Sequence, residues 1–244
     1  MHNNENWQNY VDRMGEEYGS LFYHCYQDIC HLRLKWRYYV SLFGTNKERF
    51  DLLYSVSEVF AYSLDRIFYD ATLLGIRRLT DPAKSGKHQN RNISIRGFKP
   101  IFDGTPHAIE FDNILNTALS SAVIAQNLAN KKIAHSDMDV KEGKTKIQSI
   151  SRLETAKAID DIAHVIKWVA RKQMNTSVST IPNTNPEDEI WFLQHLFEGK
   201  KAIAQKEVDY MDLMKSGNYN ARESLYKYPE WLTENSIRLS DVLD

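Results

Sequence analysis

The sequence predicts an all-α protein: an antiparallel helical bundle with a C-terminal helical extension. Three observations carry that expectation. Apolar residues recur at alternating spacings of four and three in several long windows, which gives a helix one packing face. Two capping-box patterns, Thr45-Asn46-Lys47-Glu48 and Ser151-Arg152-Leu153-Glu154, mark where helices begin. No series of short alternating segments offers the strands of a sheet. The expected organisation is a bundle over residues 1–174, a polar linker or extended loop over 175–188, and a helical extension over 189–244.

In chain order, Glu5 to Phe43 is rich in aromatics and free of proline, and reads as one long helix or a broken pair. The Thr45 box starts a second helix, which should run to Leu79 on the stripe Phe60, Leu64, Ile67, Ala71, Leu74 and stop at Thr80-Asp81-Pro82. Residues Asp81 to Asn92 form a loop. Gly104 to Pro106 mark a turn, after which Phe111, Leu115, Ala118, Ala122 and Ala125 make a second stripe that lands next on Ala129. A lysine-rich connector around Gly143 leads to the Ser151 box. Leu153, Ala156, Ile159, Ile162, Ala163, Ile166, Val169 and Ala170 then stripe a further helix. Four amphipathic helices describe a bundle. Asn175 to Asp188 shifts to Asn, Thr, Ser and Pro, the composition of a connection. Helical patterning resumes over Glu187 to Lys215, and one more helix is expected after Pro229.

Composition bounds the function classes. With 42% apolar and 26% charged residues the 244-residue chain has the make-up of an ordinary globular protein. Its N-terminus is polar, and no run reaches the length of a membrane span, so a soluble cytoplasmic protein without a membrane partner is expected. Two cysteines, Cys25 and Cys30, cannot build a disulfide framework. A formal net charge of −1 makes no case for nucleic acid by itself, but the charge is unevenly placed. Arg77, Arg78, Lys84, Lys87, Arg91, Arg96 and Lys99 stand against the single acid Asp81. Together with Lys131 and Lys132 they are either a phosphate-facing surface or a solvated loop. His24, Asp28 and His31 share one helical face and would be the start of a metal site, although a solvated polar face explains the same spacing and no fourth ligand lies nearby. No cofactor is expected.

The stretch Asn127-Leu128-Ala129-Asn130-Lys131-Lys132-Ile133-Ala134-His135-Ser136-Asp137 stands out as a helix end with a titratable group at its tip. It resembles the signature of the HEPN superfamily of ribonucleases, in which an arginine followed by a polar residue precedes a histidine by five or six positions. Asn130 and His135 match, and Ala129 stands where the arginine belongs. The segment Asp51 to Phe98, with Leu73-Leu74-Gly75-Ile76-Arg77-Arg78-Leu79-Thr80-Asp81-Pro82-Ala83-Lys84, is similar to the AbiU2 branch, which is associated with abortive phage infection and toxin–antitoxin systems. The resemblance spans roughly residues 30 to 170.

The resemblance implies a metal-independent endoribonuclease whose site is completed by pairing two chains, with RNA as substrate and a cognate antitoxin protein as a further partner. In that scheme His135 is the acid/base, Asn130 orients the ribose or phosphate, and Lys131, Lys132, Arg77, Arg78, Lys84 and Arg91 attract the backbone. Loss of a transition-state cation commonly costs on the order of 10²–10³ in rate, so the chain with Ala129 is expected to be a weak or inactive nuclease. Either an arginine was changed to keep a toxic protein tolerable, which the otherwise intact Asn130–His135 run favours, or a natural member has lost catalysis. Some relatives carry a modifiable tyrosine two residues after the histidine, where this chain has Asp137, so silencing by that route is not expected. The alternative is a non-catalytic helical module that holds RNA or a protein partner.

Overall fold

The computed structural model describes residues 3–134, 138–220 and 225–233. They fall into two compact units, Met1–Glu189 and Ile190–Asp244. The first is a helical bundle built from α1 (Asn3–Tyr39), α2 (Lys47–Val56), α3 (Glu58–Thr80), α4 (Lys99–Phe102), α5 (Ala108–Leu128), α6 (Met138–Lys141) and α7 (Arg152–Met174). A two-stranded hairpin, β1 (Lys84–Ser85) with β2 (Asn90–Arg91), interrupts the segment expected to be loop.

The four long helices α1, α3, α5 and α7 pack in a ring, each antiparallel to the next. Arg78 of α3 meets Asp28 of α1, and Gly75 meets Leu32. At the far end of this pair Tyr39 lies against Tyr69. Gln126 of α5 meets Thr80, Trp168 of α7 meets Glu110 of α5, and Arg33 of α1 meets Asp160 of α7. The core between them holds Phe22, Ile29 and Leu32, then Leu73, Ile76 and Leu79, the α5 stripe, and Ile159, Ile162, Ile166 and Val169. Burial of such side chains contributes about 1.5–3 kcal/mol each.

The first helix is the broken pair. Gly15 takes φ 80° and ψ 162°, a conformation in which a side chain would be strained. The chain folds back there: a Cβ on Gly19 would sit 2.5 Å from the Cα of Val11, and the Tyr10 ring packs with its centroid 4.9 Å from that of Phe22. Its C-terminal end widens into a π-helical turn, Val40–Gly44. Thr45 closes that turn by donating to the carbonyl of Val40, so the cap of α2 falls to Asn46, whose side chain accepts from Arg49 N–H.

Three expectations are corrected. The helix from the Thr45 box to Leu79 is two helices, parted at Ser57, whose extended backbone breaks the ladder. The stripe assigned to α3 is also not its buried face: Phe60 and Ile67 are 61% and 59% exposed, while Ala61, Thr72, Leu73, Ile76 and Leu79 are buried. The N-terminal half of α3 packs with α2 beside the bundle, and only its C-terminal half enters the ring. Leu153 is 81% exposed because it lies in the first turn of α7, below the core, and Thr155 and Ala158 face inward instead.

The α5 and α7 assignments otherwise hold. Phe111, Leu115, Ala118, Ala122 and Ala125 are all buried, and the Ser151–Glu154 box makes both reciprocal bonds. After α7 ends on the left-handed Asn175, residues 176–187 run as an extended strap over the bundle. Tyr26 donates to the Ser179 carbonyl, and Arg37 holds Thr184, Asn185 and Glu189. The second unit contains most of α8 (Asp188–Lys215), which carries the ion pairs Glu198–Lys201 and Asp212–Lys215. It also holds α9 (Glu230–Thr233), one turn after Pro229. No helix among the described residues is long and apolar enough to cross a membrane.

Candidate functional site

At Leu128 the α-helical ladder of α5 gives way to a second π-helical turn, Ala129–Ala134. Such turns are uncommon and concentrate at functional sites, because each inserts an extra residue that rotates the chain beyond it. Here the turn sorts the motif. Ala129 is fully buried and belongs to the core, continuing the α5 stripe. Asn130 is half-buried, and Ile133 leans back onto the core. Lys131 and Lys132 are exposed, with no ion-pair partner among the described residues. His135 and Asp137 lie outside the described residues.

The burial of Ala129 constrains the motif. An arginine at this position would start inside the packing, where a long charged side chain must displace neighbours.

The basic cluster is not a free surface. Arg78 donates to Asp28 at 2.8 Å and Lys99 to Asp112 at 2.5 Å, Arg91 forms an ion pair with Glu17 at 3.1 Å, and Arg77 lies 3.8 Å from Asp81. Arg96 is spent on the Thr80 carbonyl. Lys84 and Lys87, on and beside the hairpin, are exposed without an ion pair among the described residues. Among the described residues of the cluster, the cations without an ion pair are therefore Lys84, Lys87 and Arg96, together with Lys131 and Lys132.

His24, Asp28 and His31 are not gathered into a metal site; no group of metal-capable side chains assembles among the described residues. The Asp28 carboxylate is taken by Arg78, and both imidazoles are exposed.

A feature that the sequence reading missed lies beside the motif. A cavity of roughly 200 Å³ opens between α1, α3 and the second π turn, and Lys132 and Ile133 form part of its wall. Leu73 and Leu128 floor it, and Tyr39, Asp65, Arg66, Tyr69, Asp70 and Ser149 complete the lining. Tyr39 is the residue from which the first π turn starts, so both π turns border this cavity. Arg66 donates to Asp70 at 3.3 Å and lies over the Tyr69 ring. Asp65 is half-buried and has no hydrogen bond or ion pair among the described residues. Burial pushes its carboxyl above the usual aspartate range, with Arg66 opposing and Asp70 reinforcing the shift. The same burial raises the phenols of Tyr39 and Tyr69. The signal in the sequence was Asp65 four residues before Tyr69, a polar pair on the inward side of α3. The apolar stripe through Phe60 and Ile67 hid it.

No curated protein and no solved structure matches the chain. The family model of AbiU2, a HEPN-type family, matches residues 15–188, from the Gly15 break to the first residue of α8. The helical ring, the π-helical motif end and the matched span together make this chain a member of the AbiU2 family of HEPN proteins.

Proposed function

We propose that the chain is an RNA-directed effector of an abortive-infection or toxin–antitoxin system, acting as a metal-independent endoribonuclease when two copies pair. The observation that carries this reading is the family match, joined to a helix end that presents two exposed lysines, without an ion pair among the described residues, shortly before His135. In the proposed step the ribose 2′-oxygen attacks the adjacent phosphorus, and the bond from phosphorus to the 5′-oxygen breaks. A 2′,3′-cyclic phosphate and a free 5′-hydroxyl result. His135 of one copy removes the 2′-hydroxyl proton, and the same histidine of a second copy protonates the leaving oxygen. Asn130 orients the phosphate by hydrogen bonding. Lys131 and Lys132 supply charge along the strand.

The chain lacks the arginine that would fork onto the crowded phosphorane, so cleavage by it is slow. The burial of Ala129 favours a second reading, a non-catalytic module that holds RNA or an antitoxin through the same surface. The deciding assay incubates RNA with the chain and with Ala129→Arg in excess EDTA. Cleavage that His135→Ala abolishes supports the nuclease; RNA binding without cleavage by either protein supports the module. Light scattering that finds only monomer at micromolar concentration removes the paired site.

A further inference from the structure

The cavity beside the second π turn has the construction of a base-binding pocket. Its floor, Leu73 and Leu128, is apolar and buried, and two tyrosine rings stand at its side with centroids 5.7 Å apart, tilted by 46°. Rings that close cannot sandwich a third plane, but they offer adjoining aromatic surface against which one flat ligand can lie. Unpaired RNA bases are held in this way: stacked on aromatic side chains and hydrogen-bonded along their Watson–Crick edges.

The polar side of the cavity is rich in acceptors. Asp65 is a half-buried carboxyl with no hydrogen-bond partner among the described residues, so both of its acceptor oxygens are open to a ligand. Its neighbour Asp70 is occupied by Arg66, so Asp65 is the open acceptor. Among the four RNA bases only guanine presents two parallel donors on its pairing edge, N1–H and the exocyclic amine, which match the two oxygens of one carboxylate. Lys132 lines the same cavity and is exposed, which suits it to meet a nucleotide's phosphate.

We propose that this cavity binds a guanine base of single-stranded RNA, with Asp65 accepting from N1–H and the exocyclic amine, Tyr39 and Tyr69 lying along the ring, and Lys132 meeting the attached phosphate. The proposal rests on the RNA-directed reading and deepens it, because a base held here fixes which phosphodiester reaches the end of the second π turn. It gives the protein a base preference that the histidine motif alone does not provide.

The test titrates the full chain with the 5′-monophosphates of guanosine, adenosine, cytidine and uridine, followed by NMR chemical shifts. The expected result is that GMP binds most tightly and perturbs residues around Asp65 and Lys132. Asp65→Asn, which keeps the shape but turns one acceptor into a donor, should weaken GMP by about ten- to a hundredfold while leaving AMP affinity close to the parent and the melting temperature no lower. Equal affinity for all four nucleotides, or GMP affinity indifferent to Asp65→Asn, overturns the pocket. The two readings fail separately. A chain that cuts RNA without binding GMP keeps the nuclease and loses the pocket, and one that binds GMP through Asp65 but cuts nothing keeps the pocket and loses the nuclease.

Discussion

Gln126 donates its side-chain amide to the Thr80 hydroxyl at 2.6 Å, joining the end of α5 to the end of α3. Thr80 in turn donates to the Ile76 carbonyl at 2.7 Å, and its own carbonyl accepts from Arg96 at 2.9 Å. Three segments are tied at this one buried threonine, and the tie reaches α5 within a turn of Ala129. Thr80→Val keeps the shape and deletes the hydroxyl, which leaves the Gln126 amide only its longer bond, 3.2 Å, to the Thr80 carbonyl. The expected cost is about 0.5–1.5 kcal/mol of unfolding free energy, read as a lower urea midpoint with an unchanged slope. A second variant, Gln126→Met, should be less than additive with the first, because both remove the same bond.

Ala129→Arg tests the motif from the side of stability. Since the residue is fully buried, an arginine there combines overpacking with an unpaired interior charge, and the folded state should lose at least about 3 kcal/mol. A loss below about 1 kcal/mol, within the range typical of exposed positions, would instead mean that the guanidinium reaches solvent.

Charge neutralisation should separate paired from unpaired cations. Lys131→Gln and Lys132→Gln are each expected to weaken RNA binding and reduce the salt slope of the association constant by about one. Arg78→Gln should change the slope less, because its charge is already met by Asp28. The measurement is fluorescence anisotropy of a labelled RNA over a range of salt.

The Asp65 carboxyl makes stability fall with pH over a defined window. Its folded pKa is raised by burial, so between the ordinary aspartate value and that raised value the native state holds more proton than the unfolded chain. Unfolding free energy therefore declines as pH rises through the window, and the full penalty stands above it. Asp65→Asn removes the penalty. The variant should melt slightly higher than the parent at neutral pH, and the difference should vanish in acid below the ordinary aspartate range. A melting difference independent of pH would sink this account. The ionised form is also the one that accepts two guanine donors, so GMP affinity should increase through the same window.

The parts of the fold that were legible in the sequence are those where one helix face meets one core. α5 is the clearest case: five residues at spacings of four and three are all buried. The Ser151 box is another, because capping is local chemistry and both its bonds form. Legibility failed where the partner is distant in sequence. Phe60 and Ile67 are as apolar as Leu73 and Ile76, and only the position of α2 and α1 decides which of them is covered. The basic cluster looked unopposed because its counter-charges, Glu17 and Asp28, lie far upstream on α1. The cavity was invisible for the same reason, since it is assembled from Tyr39, Asp65 and Lys132, on three separate elements.

The widened turn at Ala129–Ala134 also sets a rotational phase. One residue more than an α-helix needs is wound into it, so closing the turn to a regular ladder while keeping the residue count would rotate the chain beyond it by roughly 100° about the helix axis. The width of this turn is the property that homologous chains would have to preserve.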